Sequence, residues 1–397
     1  MAHLRAPARR KQRGLTLIEL MVSITITLIV VAALIALFLN VSSAQREMAK
    51  INQQIESGRV GVFVLENEIS HAGFWENYVP QFTDLSVSGI PANVPTGTPP
   101  DPCLAYSATN WTDAYKRSLL DIPLQVYDAV PANCSGLLKD WRAGTDVLVV
   151  RHAENCLPGT SNCEADTAGK LYFQSSLCGS EPASSYDLST SGFANMHARD
   201  CATASPKRKF ISDIYYVRTY ADKAADGTPD GIPTLARSRF DCVVDPASTP
   251  PACLAGTLAQ QAPVPLVEGI EGFRVELGLD TLSSTGAAVN YTQAIAWSDP
   301  LNRTTPTNRG DGSPDGAFVH CSTAAPCTAD QLINVVAAKL YVLARSTTQT
   351  AGFTDTKTYT LGSAAAYTPP TADQHYKRHL FSTSIRLNNV AGRRDAP

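Results

Sequence analysis

Residues 15–39 read LTLIELMVSITITLIVVAALIALFL, twenty-five positions that hold one charge, Glu19. Wound as an α-helix at about 1.5 Å per residue, such a run extends roughly 37 Å and exceeds the hydrocarbon thickness of a bilayer, about 30 Å. A chain that begins this way is expected to be anchored in a membrane. Arg5, Arg9, Arg10, Lys11 and Arg13 precede the run, and no carboxylate stands among the first fourteen residues, so the basic end is expected inside and the bulk of the chain outside. A secretory signal shares the basic start, but its apolar region is about 7–15 residues long and ends at a small-residue cleavage site. Here the run is longer, and the small residue, Gly14, comes before it.

Glu19 needs a reason, because a carboxylate in an apolar helix is costly and marks a function or a partner. The stretch Arg13-Gly14-Leu15-Thr16-Leu17-Ile18-Glu19-Leu20 resembles the type IV prepilin signature: basic leader, glycine before the cut, apolar first residue and glutamate at the fifth position after it. The resemblance implies that residues 1–14 are a leader removed between Gly14 and Leu15 by a prepilin peptidase, followed by methylation of the new amino terminus. Leu15 stands where phenylalanine is commoner. The resemblance further implies that Glu19 compensates the charged amino group of a neighbouring subunit and so serves filament assembly. Loss of the leader's five cations would take the formal charge from −3 to −8. Neither value offers the basic excess that nucleic-acid binding calls for.

Beyond the apolar run, Val41, Ala44, Met48, Ile51, Ile55, Gly58, Val62, Leu65 and Ile69 recur at steps of three and four, the pattern of an amphipathic helix. No proline occurs from residue 15 to residue 79, and Ala36 falls where many major pilins carry a helix-breaking one. A single long helix over 15–73 is therefore expected, with 15–39 in the membrane and 40–73 packed on the chain's own globular domain. It should be softly interrupted near Gly58 and Arg59 and end around Ala72 and Gly73. A coiled-coil seam is the competing reading of the stripe.

Residues 74–397 are expected to form the periplasmic or extracellular globular domain. The stretch 74–140 is rich in Pro, Gly, Ser and Asn and weak in periodicity, as loops with short elements would be. Alternation then takes over: Val267, Phe273, Val275, Leu277 and Leu279 share one face, with Glu268, Arg274 and Glu276 on the other. Leu332, Val336, Ala338, Leu340 and Val342 repeat the pattern, as do Phe381, Ile385 and Leu387, and shorter candidates cover 146–151, 211–220 and 235–240. The fold class is α+β: a long amino-terminal helix on a mainly antiparallel sheet with disulfide-bonded loops. Ten cysteines, none in a C-x-x-C pair, fit disulfides of an exported domain better than a zinc site. Their connectivity cannot be deduced from spacing. The default is nearest-neighbour pairing of Cys103 with Cys134, Cys156 with Cys163, Cys178 with Cys201, Cys242 with Cys253 and Cys321 with Cys327.

The second half narrows the resemblance. Leu266-Val267-Glu268-Gly269-Ile270-Glu271, Asn308-Arg309-Gly310-Asp311-Gly312, Asp355-Thr356-Lys357-Thr358-Tyr359, Tyr376-Lys377-Arg378 and Arg386-Leu387-Asn388-Asn389 look like PilW-type minor pilins. That family implies a subunit of the type IV pilus that primes assembly and stays near the tip, beside other minor pilins, the major pilin and a tip adhesin. It would enter the inner membrane as a single-pass protein before moving to the pilus. A type II secretion pseudopilin of the J type would share the amino terminus, and a calcium-dependent tip-binding module is a reading of another class.

No enzyme is expected: G-x-S-x-G, G-x-x-x-x-G-K-[ST] and H-E-x-x-H are all missing from the sequence. His375 and His379 have the spacing of helical metal ligands but lie in an alternating segment. Asp226-Gly-Thr-Pro-Asp230-Gly and Asp311-Gly-Ser-Pro-Asp315-Gly offer carboxylates and glycines of the kind calcium uses, with Asp222 as a further oxygen source. Both hexapeptides are also good turns, which is the preferred reading. No other cofactor is expected.

Overall fold

In the computed structural model, the protein is described over residues 14, 16–160, 162–364 and 366–395. One helix, α1, runs uninterrupted over Leu17–His71. The chain divides into two compact units, up to Asn52 and from Gln53 onward, and the boundary falls inside this helix. In the first unit the apolar side chains from Leu17 to Leu39 are exposed, and the helix is long and apolar enough to cross a membrane.

The second unit opens with the remainder of α1, which buries Gln54, Gly58, Gly61, Leu65 and Ile69. The apolar stripe of the sequence is met at Gly58, Leu65 and Ile69, while Ile55 of the same stripe remains exposed. Gly58 does not interrupt the helix. It is a notch: a Cβ there would lie 2.0 Å from the Phe381 ring, and one at Gly61 would lie 3.3 Å from Ile270. After His71 the chain turns at Gly73, with φ of +73°, a left-handed conformation that glycine enters freely.

A second helix, α2 (Asp113–Asp121), begins at Thr112, whose side chain accepts from the Tyr115 amide, a standard amino-terminal cap. The strands that follow are β1 (Leu124–Tyr127), β2 (Val147–Ala153), β3 (Tyr172–Ser175), β4 (Tyr186–Ser189), β5 (Arg208–Arg218), β6 (Thr234–Asp241), β7 (Ala259–Gln260) and β8 (Val264–Glu268). They form one antiparallel sheet in which β1, β2, β5, β3 and β4 are neighbours in that order and β6 joins β5 to β7 and β8. Next come β9 (Ile270–Leu279), the small hairpin β10 (Trp297–Asp299) and β11 (Thr304–Pro306), the short helix α3 (Ala329–Leu332), β12 (Val335–Arg345), β13 (Arg378–Arg386) and α4 (Asn388–Ala391). A second antiparallel sheet has the order β13-β12-β9. Among the described residues the class is thus α+β with antiparallel sheets.

The alternation expected from Val267 to Leu279 proves to be two strands in two sheets. Gly269 makes the switch with φ of +79°, and a Cβ there would sit 2.6 Å from the Arg345 carbonyl oxygen. Its own amide donates to the Pro233 carbonyl, and its carbonyl accepts from the Arg345 amide. Leu332 closes α3 instead of opening β12, and Leu387 follows β13.

Strand β2 shows why its sequence, VLVVRHA, lacks alternation. Leu148 and Val150 join the core that holds Leu65, Ile69, Phe273, Val275 and Leu340, whereas Val147 and Val149 pack on the opposite side with Ile214 and Tyr216. Burial on both faces calls for apolar residues throughout. A third cluster gathers Trp75, Tyr78, Trp111, Leu119, Phe173, Phe210 and Phe240. The stretch 74–140 holds short elements between loops, as expected, namely α2 and β1, and it also contributes much of this aromatic core. The cysteines pair as nearest neighbours: Cys103–Cys134, Cys156–Cys163, Cys178–Cys201, Cys242–Cys253 and Cys321–Cys327.

The notch at Gly58 sets an opposition between two effects. Alanine gains about 1 kcal/mol of helix propensity, but here its methyl group must displace the Phe381 ring, and such overpacking costs about 1–3 kcal/mol. Gly58→Ala is expected to lower the urea midpoint of the wild type and to be neutral or stabilising when Phe381→Ala is already present. Equal effects in both backgrounds would show that the contact does not limit the approach of the helix.

Candidate functional site

Two sets of residues carry functional expectation: the start of α1 and the separated motifs of the second half. The basic leader and Leu15 lie outside the described residues. Glu19 is the third residue of α1 and closes a reciprocal cap with Thr16. The Thr16 amide and hydroxyl each donate to Glu19 Oε2 at 2.9 Å, and the Glu19 amide donates to Thr16 Oγ1 at 3.4 Å. This is the Thr-x-x-Glu box, which was there to be read in the sequence and was missed. Its carboxylate also meets the positive end of the helix dipole. Three hydroxyls in the apolar run bond back to the helix: Ser23 to the Leu20 carbonyl, Thr25 to Val22 and Thr27 to Ser23. Such bonds leave the segment with little polar surface to expose to lipid.

The motifs of the second half converge. Glu271 of β9 is buried, and the Arg378 guanidinium of β13 grips it through Nε and Nη2 at 2.5 and 3.2 Å. Arg142 reaches the same carboxylate at 2.9 Å and Arg345 of β12 at 3.5 Å, and Tyr367 donates to it. Arg378 also holds Asp355 at 3.2 Å, to which Tyr359 donates. Residues from three motifs separated by up to 107 positions thus form one ion cluster around β9, β12 and β13. Glu276, expected on an open polar face, is buried too, where it accepts from the Ser363 amide and the Tyr341 hydroxyl.

The Asn308–Gly312 motif builds a second cluster. Asp280, at the end of β9, accepts from the amides of Asp311 and Gly312 and from Arg394 at 3.0 Å. Burial pushes its carboxyl above the usual range against those donors. A Cβ at Gly310 would stand 2.1 Å from the carboxylate, so no side chain fits there. Arg309 donates to the carbonyls of Asn290, Asn308 and Gln293. The last motif caps the helix: Asn389 Nδ2 lies 3.2–3.4 Å from the carbonyls of Ser70, His71 and Ala72. The end of α1 leaves its last carbonyls without helical partners, and of these three His71 also accepts from the Phe74 amide.

The two Asp-Gly-x-Pro-Asp-Gly hexapeptides are one device used twice. Asp226 and Asp311 each accept from the amide two residues on. Asp230 accepts from the amides of Ala221, Asp222 and Ile232, and Asp315 from those of Thr281 and Leu282. Each thereby pins the chain just after a long strand, β5 or β9, and a cation would have to share these oxygens with backbone amides. His375 Nδ1 lies 2.7 Å from the Phe353 carbonyl, and the His379 ring packs edge-on to Phe381. The structure gives these two histidines separate surroundings.

The family described as Type IV Pilus-assembly protein W matches residues 214–389, the stretch that holds both clusters except Arg142 and Arg394, and the prokaryotic N-terminal methylation motif matches residues 9–35. Over these two stretches the chain carries the signatures of a PilW-type minor pilin. No curated protein matches it significantly. Among solved structures, a type IV-like pilin from Thermus thermophilus is similar at 12% identity over 85% of this chain and 97% of that one, with a TM-score of 0.28. The buried clusters account for the second-half motifs as structure, and the amino-terminal motif is where pilin partners and peptidase processing are implied.

Removing one partner from the first cluster leaves a buried carboxylate short of charge, which typically costs about 3–5 kcal/mol. Arg378→Met is expected to lose about that much in urea unfolding, and Glu271→Gln with Arg378→Met together should cost less than Arg378→Met alone. A double variant at least as unstable as the single one would show that the charges do not act as a pair.

Proposed function

We propose that this minor pilin is inserted in the inner membrane with its globular domain on the periplasmic side, loses residues 1–14 by cleavage between Gly14 and Leu15, and then primes a type IV pilus. In this reading it stays at the tip, beside the other minor pilins and the major pilin, and helps hold a tip adhesin. Its role is structural. The observation that carries the proposal is the joining, in one chain, of the methylation motif at 9–35 with the PilW match at 214–389.

Physical reasoning supports the part given to Glu19. A new amino terminus at Leu15 would stand beside the Thr16–Glu19 cap, and a neighbour's charged terminus entering a dry helical bundle needs a carboxylate. Gly14→Arg fills the cut site, so the leader should stay attached, as intact mass will show. A wild-type mature protein starting anywhere but Leu15 would remove this basis.

Glu19→Gln separates the two duties of the side chain, because glutamine can still close the cap but carries no charge. Both Glu19→Gln and Glu19→Val are expected to be cleaved and membrane-inserted, yet to fail to co-purify with the other minor pilins and to yield few surface pili. Wild-type co-purification and piliation with Glu19→Gln would reduce the residue to a helix cap.

A further inference from the structure

Asp121 is the last residue of α2, where the helix dipole is negative and a carboxylate is unfavourable. Its side chain is only 5% exposed. A hydrogen bond reaches it from the Tyr78 hydroxyl at 3.0 Å. Beside it lies a cavity of about 60 Å³ lined by Tyr78, Gln81, Phe82, Asn93 and Arg117, large enough for water.

The charged and titratable groups around this point come from four elements. Tyr78 belongs to the segment leaving α1, and Tyr186 of β4 packs edge-on to it at 5.2 Å. Arg117 and Asp113 lie on α2 itself, and Arg393 comes from the carboxy-terminal arm. Arg117 lines the cavity, but among the described residues no ion pair joins it to Asp121. Arg393 is committed elsewhere, to the carbonyls of Gly73 and Asn389.

We propose that Asp121 is a proton-operated latch: its carboxyl is held neutral where α2, the exit of α1 and the carboxy-terminal arm meet, and loss of the proton loosens that junction. Burial raises the carboxyl to about 7, against the opposing pull of the Tyr78 hydrogen bond, Arg117 and Arg393. The folded protein therefore binds this proton more tightly than the unfolded chain does. The resulting stability is fully present below the unfolded value, about 4, and is lost as pH rises through about 7. The element released on ionisation is the end of α2, to which Trp75 is tied by its indole Nε1–H on the Leu120 carbonyl at 2.9 Å. Trp75 also stacks on Phe210, so its fluorescence reports the junction.

The test is urea unfolding of the full chain in detergent, followed by tryptophan fluorescence from about pH 5 to about pH 8.5, with hydrogen exchange read over residues 74–79 and 113–121. One linked proton makes the unfolding constant of the wild type rise by up to about tenfold per pH unit until it levels near 7. Relative to the wild type, Asp121→Asn should lose that part of the slope and the accelerated exchange above neutrality. Tyr78→Phe, which removes the bond favouring the ionised form, should move the levelling point to higher pH. Identical pH slopes in wild type and Asp121→Asn would overturn the proposal. Should Asp121→Asn not fold, an unmoved levelling point in Tyr78→Phe would overturn it as well.

Discussion

The seating of α1 on the three-stranded sheet is the contact on which the second unit depends. Gly58 and Gly61 remove side chains where Phe381 and Ile270 arrive, which lets the helix backbone come down onto β13 and β9. Gln54 then reaches the Ala344 carbonyl at 3.1 Å, at the point where the register between β9 and β12 shifts. Leu65 and Ile69 continue the same face into a core shared with Phe273, Val275 and Leu340. Two glycines inside a helix cost about 1 kcal/mol each in propensity, and the packing they permit offsets that loss.

The interior is unusually polar for a sheet so well covered. Arg378, Glu271, Asp280 and Arg394 are all almost wholly shielded from solvent. Buried ion pairs add little net stability over apolar packing, because desolvation consumes the Coulomb gain. What they do here is constrain geometry. Arg378 meets Glu271 only if β9 and β13 flank β12 in the observed register, and only glycine fits at position 310 against the Asp280 carboxylate.

How much of this was legible in the sequence follows from the range of each interaction. The apolar run from Leu17 to Leu39, the strands β2, β5, β6 and β12, and the chain turn after His71 are written in local patterns, and they were read. Local signals could also mislead: a glycine at position 58 suggested a soft interruption of the helix, whereas its value lies in a contact with Phe381, far away in sequence. Unbroken alternation from Val267 to Leu279 concealed the change of sheet at Gly269. The polar face of β9 looked exposed because the arginines that cover Glu271 come from positions 142, 345 and 378. At the amino terminus the Glu19 signal was read for its partner in another subunit, and its partner in its own chain, Thr16, was overlooked.

The cap of α1 by Asn389 ties the order of synthesis to the order of folding. Asn389 lies more than three hundred positions beyond Ser70, His71 and Ala72, and Arg394 and Arg378 close the two ion clusters from the same terminal stretch. The disulfides, by contrast, join cysteines at most 31 positions apart, so each can close while the chain is still emerging. Long-range closures are the slow ones, since they wait on loop entropy. A nascent chain would thus be stapled locally from its middle onward, while α1 waits for β9, β12 and β13 to form its seat and for Asn389 to cap it. A chain lacking residues 386–395 would lose the Asn389 cap of α1 and the Arg394 partner of Asp280, while Arg378 would still hold Glu271.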